Sequence, residues 1–256
     1  MKGKRNYLRW MTPFGLVEDH RRKFRLRCLG LATNRANAEA VAACHYDLWP
    51  PELRQAPHPW TLVDVGANRG EFAAAALRLA RLNCVHAFEP QPDCHAELRR
   101  VLAAVPQGRL YPVAVGARQD EIELLCMTNS KMTSVLIPES TVTDRYSAGD
   151  FAVAYRIKVP LVRLDDVIPA NTPIGLLKID VQGYELAVLE GAQAVLRSTF
   201  ALMLEMNYVA HYKGSPIFDV VYEAVRSYGF QTFGISAPYG GKDGPLWADA
   251  LFVKRA

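Results

Sequence analysis

The stretch Asp64-Val65-Gly66-Ala67-Asn68-Arg69-Gly70-Glu71-Phe72 decides the reading of this chain. It closes a short apolar run over residues 61–65 and opens an Ala- and Leu-rich segment over 71–82. The order predicted is strand, glycine bend, helix. Glycine lets a backbone turn sharply and approach a ligand closely. The bend then leads to a helix N-terminus with free N–H groups. Two nucleotide-binding patterns fail on spacing. A dinucleotide fingerprint would put glycine where Asn68 and Glu71 stand, and a P-loop would put Gly-Lys where Glu71 and Phe72 stand. Glu71 would also oppose a pyrophosphate at the helix start, the end that attracts anions. A zwitterionic ligand without phosphate suits this bend better.

Outward from the bend the alternation continues. Strands are expected over 85–88, 110–115, 121–127, 156–162, 176–179, 200–205, 230–234 and 250–253. Helices are expected over 93–105, with Asp93 as N-cap, and over 184–196, broken near Gly191. A further helix is bracketed over 216–228 by Ser215 as N-cap, Pro216 at the first helical position and Gly229 beyond its end. Such alternation implies an α/β fold: a doubly wound, mainly parallel sheet covered on both faces. Ligands in such folds sit at the C-terminal ends of the strands.

The whole chain has 256 residues, 50% hydrophobic and 22% charged, with a net charge of +4. That balance suits one large α/β domain and is not the footprint of a dedicated nucleic-acid binder. Residues 1–58 read as a basic, helix-compatible N-terminal extension, and residues 59–256 as the main domain. Lys2, Lys4, Arg5, Arg9, Arg21, Arg22, Lys23, Arg25 and Arg27 crowd the extension against only Glu18 and Asp19. Such a face is either solvated or drawn peripherally to an anionic membrane or glycan. Prolines at 50, 51, 57 and 59 mark the connector. The five cysteines have no metal-type spacing and read as reduced thiols of a cytoplasmic protein. Neither a signal peptide nor a membrane span is expected.

The second strand runs into Phe88-Glu89-Pro90. A carboxylate at that place can accept hydrogen bonds from both hydroxyls of a ribose. Capping of the following helix is the plainer role for Glu89.

Three blocks in this order resemble the FkbM family of methyltransferases. They are Val63-Asp64-Val65-Gly66-Ala67-Asn68-x-Gly70-x-Phe72, Phe88-Glu89-Pro90-x-Pro92, and Leu177-Lys178-Ile179-Asp180-Val181-Gln182-Gly183-Tyr184-Glu185 with Leu189-x-Gly191. Val113-Ala114-Val115-Gly116, Leu164-Asp165-Asp166 and Asp249-x-Leu251-Phe252 extend the likeness over residues 60–256. The resemblance implies a seven-stranded Rossmann-like methyltransferase sheet with S-adenosyl-methionine bound across the first two strand ends. Asp64, Gly66, Ala67, Asn68, Gly70 and Phe72 would then hold its methionine part. Glu89 and Pro90 would hold the ribose, Ala114 and Val115 would lie near the adenine, and Asp180 would face the methyl end.

Methyl transfer from a sulfonium is an in-line displacement, so the protein chiefly aligns and desolvates the acceptor. A sugar-type hydroxyl gains from a positioned base. Glu205 and His211 are level candidates, with Asp180 behind them as an orienting residue. Each has a plainer role: Asp180 could pair with Lys178, Glu205 hold a loop, and His211 be structural. Asp180, Glu205 and Asn207 would also suit magnesium, but a metal-free site is the expectation. Ser and Thr at 128, 130, 133 and 134 are candidates to line the pocket, and Tyr208, Tyr212 and Tyr239 to stack on a sugar. The expected activity is O-methylation of a glycan, glycolipid or secondary metabolite. The alternatives are N- or C-methylation of another small molecule, or a binding module without catalysis.

Overall fold

The computed structural model describes residues 43–147, 149–241 and 243–254. The basic segment of residues 2–27 lies outside them. The main sheet contains β1 (Trp60–Val65), β2 (Leu82–Phe88), β3 (Gln107–Tyr111), β7 (Ile174–Ile179), β8 (Thr199–Asn207), β9 (Phe230–Ile235), β10 (Tyr239–Gly241) and β11 (Gly244–Lys254). Their order is β10-β11-β8-β7-β1-β2-β3, with β9 also paired along β11. The five strands from β8 to β3 are parallel, whereas β11 runs antiparallel to β8, β9 and β10. This is a doubly wound, Rossmann-like α/β sheet with eight strands rather than seven, because β9 and β10 share one edge.

Burial on both faces explains the unbroken apolar strands. Leu62, Leu176, Ala201 and Met203 pack on one side; Val63, Leu177, Leu202 and Leu204 pack on the other. The first side is covered by α2 (Glu71–Leu79) and α3 (His95–Leu102), the second by α6 (Glu185–Glu190), α7 (Gln193–Arg197) and α8 (Phe218–Ser227). Phe72, Ala73, Ala75 and Ala76 of α2 are buried, and the small alanines let the helix lie close to the strands. Before β1 comes α1 (Pro51–Arg54). Cys44, Tyr46, Leu48, Trp49 and Leu53 belong to the same core, and the Trp49 ring meets Trp60 edge-on at 5.5 Å. The described end of the expected extension is therefore packed into the main domain.

A second sheet has the order β4-β6-β5, built from β4 (Ala114–Val115), β5 (Asp120–Met127) and β6 (Val153–Val162). Sequence reading found these segments but not their separate sheet. The run over 110–115 is split at Pro112, which has no N–H to offer a ladder. One half stays in the main sheet and the other joins β6. Between β5 and β6 lies the short α4 (Ser140–Thr143), and after β6 comes α5 (Leu164–Val167).

Two expected caps are corrected. Asp93 sits inside a 3-10 turn (Pro92–Cys94) and accepts a hydrogen bond from the Tyr155 hydroxyl at 2.8 Å. Ser215 bonds back to Tyr212, and α8 starts later, at Phe218. Gly229 does adopt the left-handed φ of +85° expected after that helix. The break near Gly191 also stands where expected, between α6 and α7. No helix among the described residues is long and apolar enough to cross a membrane.

Candidate functional site

A cavity of about 320 Å³ opens at the C-terminal ends of the parallel strands. That is within the usual range for a small-ligand site. Gly66, Ala67 and Asn68 line it from the bend after β1, and Glu89 and Pro90 after β2. Asp180, Val181 and Gln182 line it after β7, and Glu205 near the end of β8. Trp247 and Asp249 come from the antiparallel β11, where Asp249 is the register partner of Glu205. The loop between β5 and β6 supplies Ser130, Thr133 and Ser134.

The bend is tight. Gly66 and Gly70 have φ of +77° and +84°, and Asn68 lies in the left-handed region too. A Cβ on Gly66 would sit 1.8 Å from the Asp180 carbonyl oxygen, so no side chain fits there. Glu89 is buried against this bend. Its Oε2 accepts from the Asn68 amide at 2.7 Å, and its Oε1 from the Gln91 amide, also at 2.7 Å. Burial raises its pKa to about 7, although the two amides pull the other way. Each carboxylate oxygen has a further acceptor position. A vicinal diol of a ribose therefore fits Glu89 at the cavity wall. Pro90, Val113, Ala114, Val115 and Leu124 continue from it as an apolar slot.

Below the bend lies a charged triad. Lys178 Nζ is 3.2 Å from Asp64 Oδ1 and 3.5 Å from Asp180 Oδ2, and it donates to the Gly66 carbonyl oxygen at 2.8 Å. Burial disfavours the ammonium, but the two carboxylates outweigh it and raise its pKa. Burial likewise raises Asp64, against the pull of Lys178. Asp64 is fully buried and outside the cavity lining, so the expected direct hold on a ligand becomes support from beneath. Gly70 is also outside the lining; it faces Leu98 and Val101. Phe72 lines the cavity, with the Lys178 ammonium 5.7 Å over its ring.

Among the proposed reacting groups, Glu205 and Asp180 meet. Gln182 Nε2 bridges them, 2.8 Å from Asp180 Oδ1 and 3.4 Å from Glu205 Oε1. Burial first, then the carboxylates of Asp180, Asp249 and Glu185, raises the Glu205 pKa well above the usual range. His211 does not join them. It lies outside the lining, its Nδ1 donates to the Val209 carbonyl oxygen, and its Nε2 accepts from the Tyr146 hydroxyl at 2.5 Å. Burial lowers its pKa to about 4. Both lone-pair and proton positions are thus used internally. Among the described residues no group of His, Cys, Asp and Glu is arranged to hold a metal ion.

Sequence reasoning missed several residues. Lys178 was expected only as a partner of Asp180, a pairing the structure contains; its interruption of the apolar strand Leu176-Leu177-Lys178-Ile179 was the available signal for its second partner, Asp64. Glu185 is buried and accepts from the Val181 and Gly183 amides, which fixes the loop after β7; burial raises its pKa to about 7. Tyr146, Trp247 and His45 reach the cavity from distant parts of the chain without a local signal, and Asp249, quoted above only for the family likeness, joins them. Tyr212 is buried and Tyr208 stacks on Phe218, so both serve packing.

A family model described as the methyltransferase FkbM domain matches residues 64–232. Methyltransferase sdnD of Sordaria araneosa is 31% identical over 153 residues, which are 51% of this chain and 59% of that protein. Among solved structures, methyltransferase FkbM from Methylobacillus flagellatus KT aligns over 91% of this chain and 59% of its own, at 15% identity and a TM-score of 0.48. TrmK of M. capricolum in complex with S-adenosyl-homocysteine aligns over 88% of this chain and 70% of its own, at 8% identity and a TM-score of 0.41. The chain thus spans 59% of the length of both the fungal relative and the Methylobacillus protein. With about two thirds of its length matched by one model and the expected bend and acid side by side, the chain belongs to the FkbM family of methyltransferases, whose cofactor is S-adenosyl-methionine.

Proposed function

We propose that this protein is an O-methyltransferase acting on a hydroxyl of a glycan, glycolipid or secondary metabolite. In this reading Glu89 receives the ribose hydroxyls, and the apolar slot from Pro90 to Leu124 receives the adenine. The bend at Gly66, Ala67 and Asn68 receives the methionine end, with Asp180 toward the methyl. S-adenosyl-methionine supplies a methyl group already activated on a sulfonium. The chain's residues supply alignment and exclusion of water.

One observation carries the choice of acceptor. Beside the acidic end of the cavity, Tyr146, Tyr239 and Trp247 form a stack, with ring centroids 6.1 Å and 5.2 Å apart and planes within 22° and 18°. Tyr146 and Trp247 face the cavity. An aromatic wall next to carboxylates suits a ring with one apolar face and several hydroxyls. Transfer of labelled methyl from S-adenosyl-methionine into a cell extract, followed by identification of the product, tests this. A methyl ether on a sugar or related hydroxyl is the expected product. A methyl on nitrogen or carbon, or no turnover with any hydroxylated acceptor, contradicts it.

We further propose that the basic segment of residues 2–27 draws the protein to anionic surfaces such as lipid headgroups. Sedimentation with anionic vesicles at low and high salt tests it; absence of uptake at low salt contradicts it.

A further inference from the structure

Building on the methyltransferase reading, we propose that His45 is the general base of this enzyme and that Asp249 is the residue that positions it. Neither lies within the 64–232 match to the family model. His45 Nε2 is 2.9 Å from Asp249 Oδ2, and both side chains line the cavity while keeping only 25% and 19% of their surface exposed. A carboxylate partner draws the imidazole proton to Nε2 and leaves the Nδ1 lone pair free to accept one. Among the described residues Nδ1 has no hydrogen-bond partner.

The sheet fixes where this pair stands. Going from β2 through β1, β7 and β8 to β11, the cavity-lining residues are Glu89, then Gly66 to Asn68, then Asp180, Glu205 and Asp249. The ribose end and the His45–Asp249 end are therefore on opposite sides of Asp180. His45 thus lies where an acceptor enters, on the side of Tyr146 and Trp247. The residue sits just before the turn Tyr46–Leu48, in the left-handed backbone conformation at φ +49°, and Trp49 anchors the turn in the core. The Trp49 indole N–H donates to the Cys44 carbonyl oxygen at 2.9 Å, which closes that loop around His45. Of the earlier candidates, His211 has both nitrogens engaged and is outside the cavity. Glu205 is crowded by Asp180 and Asp249 and favours its protonated form, in which it donates.

A lone pair of the acceptor hydroxyl oxygen forms the new O–C bond, and the electron pair of the breaking S–C bond stays on sulfur. The hydroxyl proton moves to His45 Nδ1. The resulting imidazolium is held by the Asp249 carboxylate until the proton passes to solvent.

The test uses the full chain labelled with ¹⁵N-histidine and saturated with S-adenosyl-homocysteine. Two-bond proton–nitrogen correlations at about pH 8 report the tautomer of His45. The expected result is the Nε2–H form in the wild type and a mixture of tautomers in Asp249→Asn. An Nδ1–H form in the wild type, or a spectrum unmoved by Asp249→Asn, overturns the proposal. In parallel, methyl-labelled S-adenosyl-methionine is offered with an extract of cell-envelope glycans and glycolipids. His45→Gln should lose about 100-fold or more of the transfer while binding S-adenosyl-homocysteine as the wild type does; full transfer by His45→Gln overturns the proposal. The spectrum decides the pairing whether or not that extract holds the acceptor. Failure of the wild type to bind S-adenosyl-homocysteine strikes the methyltransferase reading instead.

Discussion

The Asn68 main-chain amide donates to Glu89 Oε2 at 2.7 Å, which ties the glycine bend after β1 to the acid after β2. This bond makes one site of two segments that a helix and a strand separate. It also sets a pH dependence. Burial holds the Glu89 pKa near 7 in the free protein, and ribose hydroxyls that donate to the carboxylate favour its ionised form. Below that pH, binding must first remove a proton. Calorimetry should therefore show affinity for S-adenosyl-homocysteine rising from pH 5.5 to about 8 and then levelling, with up to about tenfold per pH unit on the acid side. In Glu89→Gln the slope should disappear; a slope that persists there assigns it to another group.

Gly66 stands where a Cβ would strike the Asp180 carbonyl oxygen, in a backbone conformation that L-residues rarely adopt. Gly66→Ala should cost at least about 3 kcal/mol, from strain and displacement together. The loss of cofactor binding should exceed that of Gly70→Ala, whose added carbon would meet only the side chains of Leu98 and Val101. Denaturant unfolding and cofactor titration of the two variants make the comparison.

Removing Lys178 leaves Asp64 buried without its cation. Lys178→Met should destabilise the fold by about 3–5 kcal/mol, and Lys178→Met with Asp64→Asn should recover a good part of it. Urea unfolding measures both. Equal instability of the single and double variants would show that the lysine acts by packing on Phe72 and not by charge.

His211 is neutral and internally bonded, so His211→Gln should keep turnover within about threefold of the wild type. Its effect belongs to stability. Its folded pKa of about 4 lies below the ordinary 6.5, so the unfolded chain takes up the proton first. The stability it contributes is present above about pH 6.5 and is lost as pH falls toward 4. Thermal melts at pH 7 and 5 should show a smaller drop for the variant. A turnover loss of 100-fold or more would return His211 to the chemistry.

The sequence made some of this legible and not the rest, for physical reasons. Leu62-Val63-Asp64-Val65 and Leu176-Leu177-Lys178-Ile179 are apolar on both faces, which only a central parallel strand requires, so the sheet was readable. The bend and Glu89 were readable because each sits immediately after such a strand. Asp64 was misjudged because an acid at a strand end looks ligand-facing until its lysine partner is seen on the neighbouring strand. The second sheet was hidden because the exposed residues of β6, Val153, Ala154 and Arg156 among them, do not betray which strand they pair with. His45 and Asp249 meet only because β11 doubles back beside β8 and the turn before α1 folds onto it. No local pattern encodes that meeting.

Isothermal titration with S-adenosyl-homocysteine reads whether an adenosyl group lies between the 66–70 bend and Glu89. One equivalent should bind to the wild type, and Glu89→Ala should weaken it by about 100-fold or more, the worth of two charge-assisted hydrogen bonds. A wild-type protein that ignores this ligand, or a Glu89→Ala protein that binds it undiminished, would show that no adenosyl site lies there.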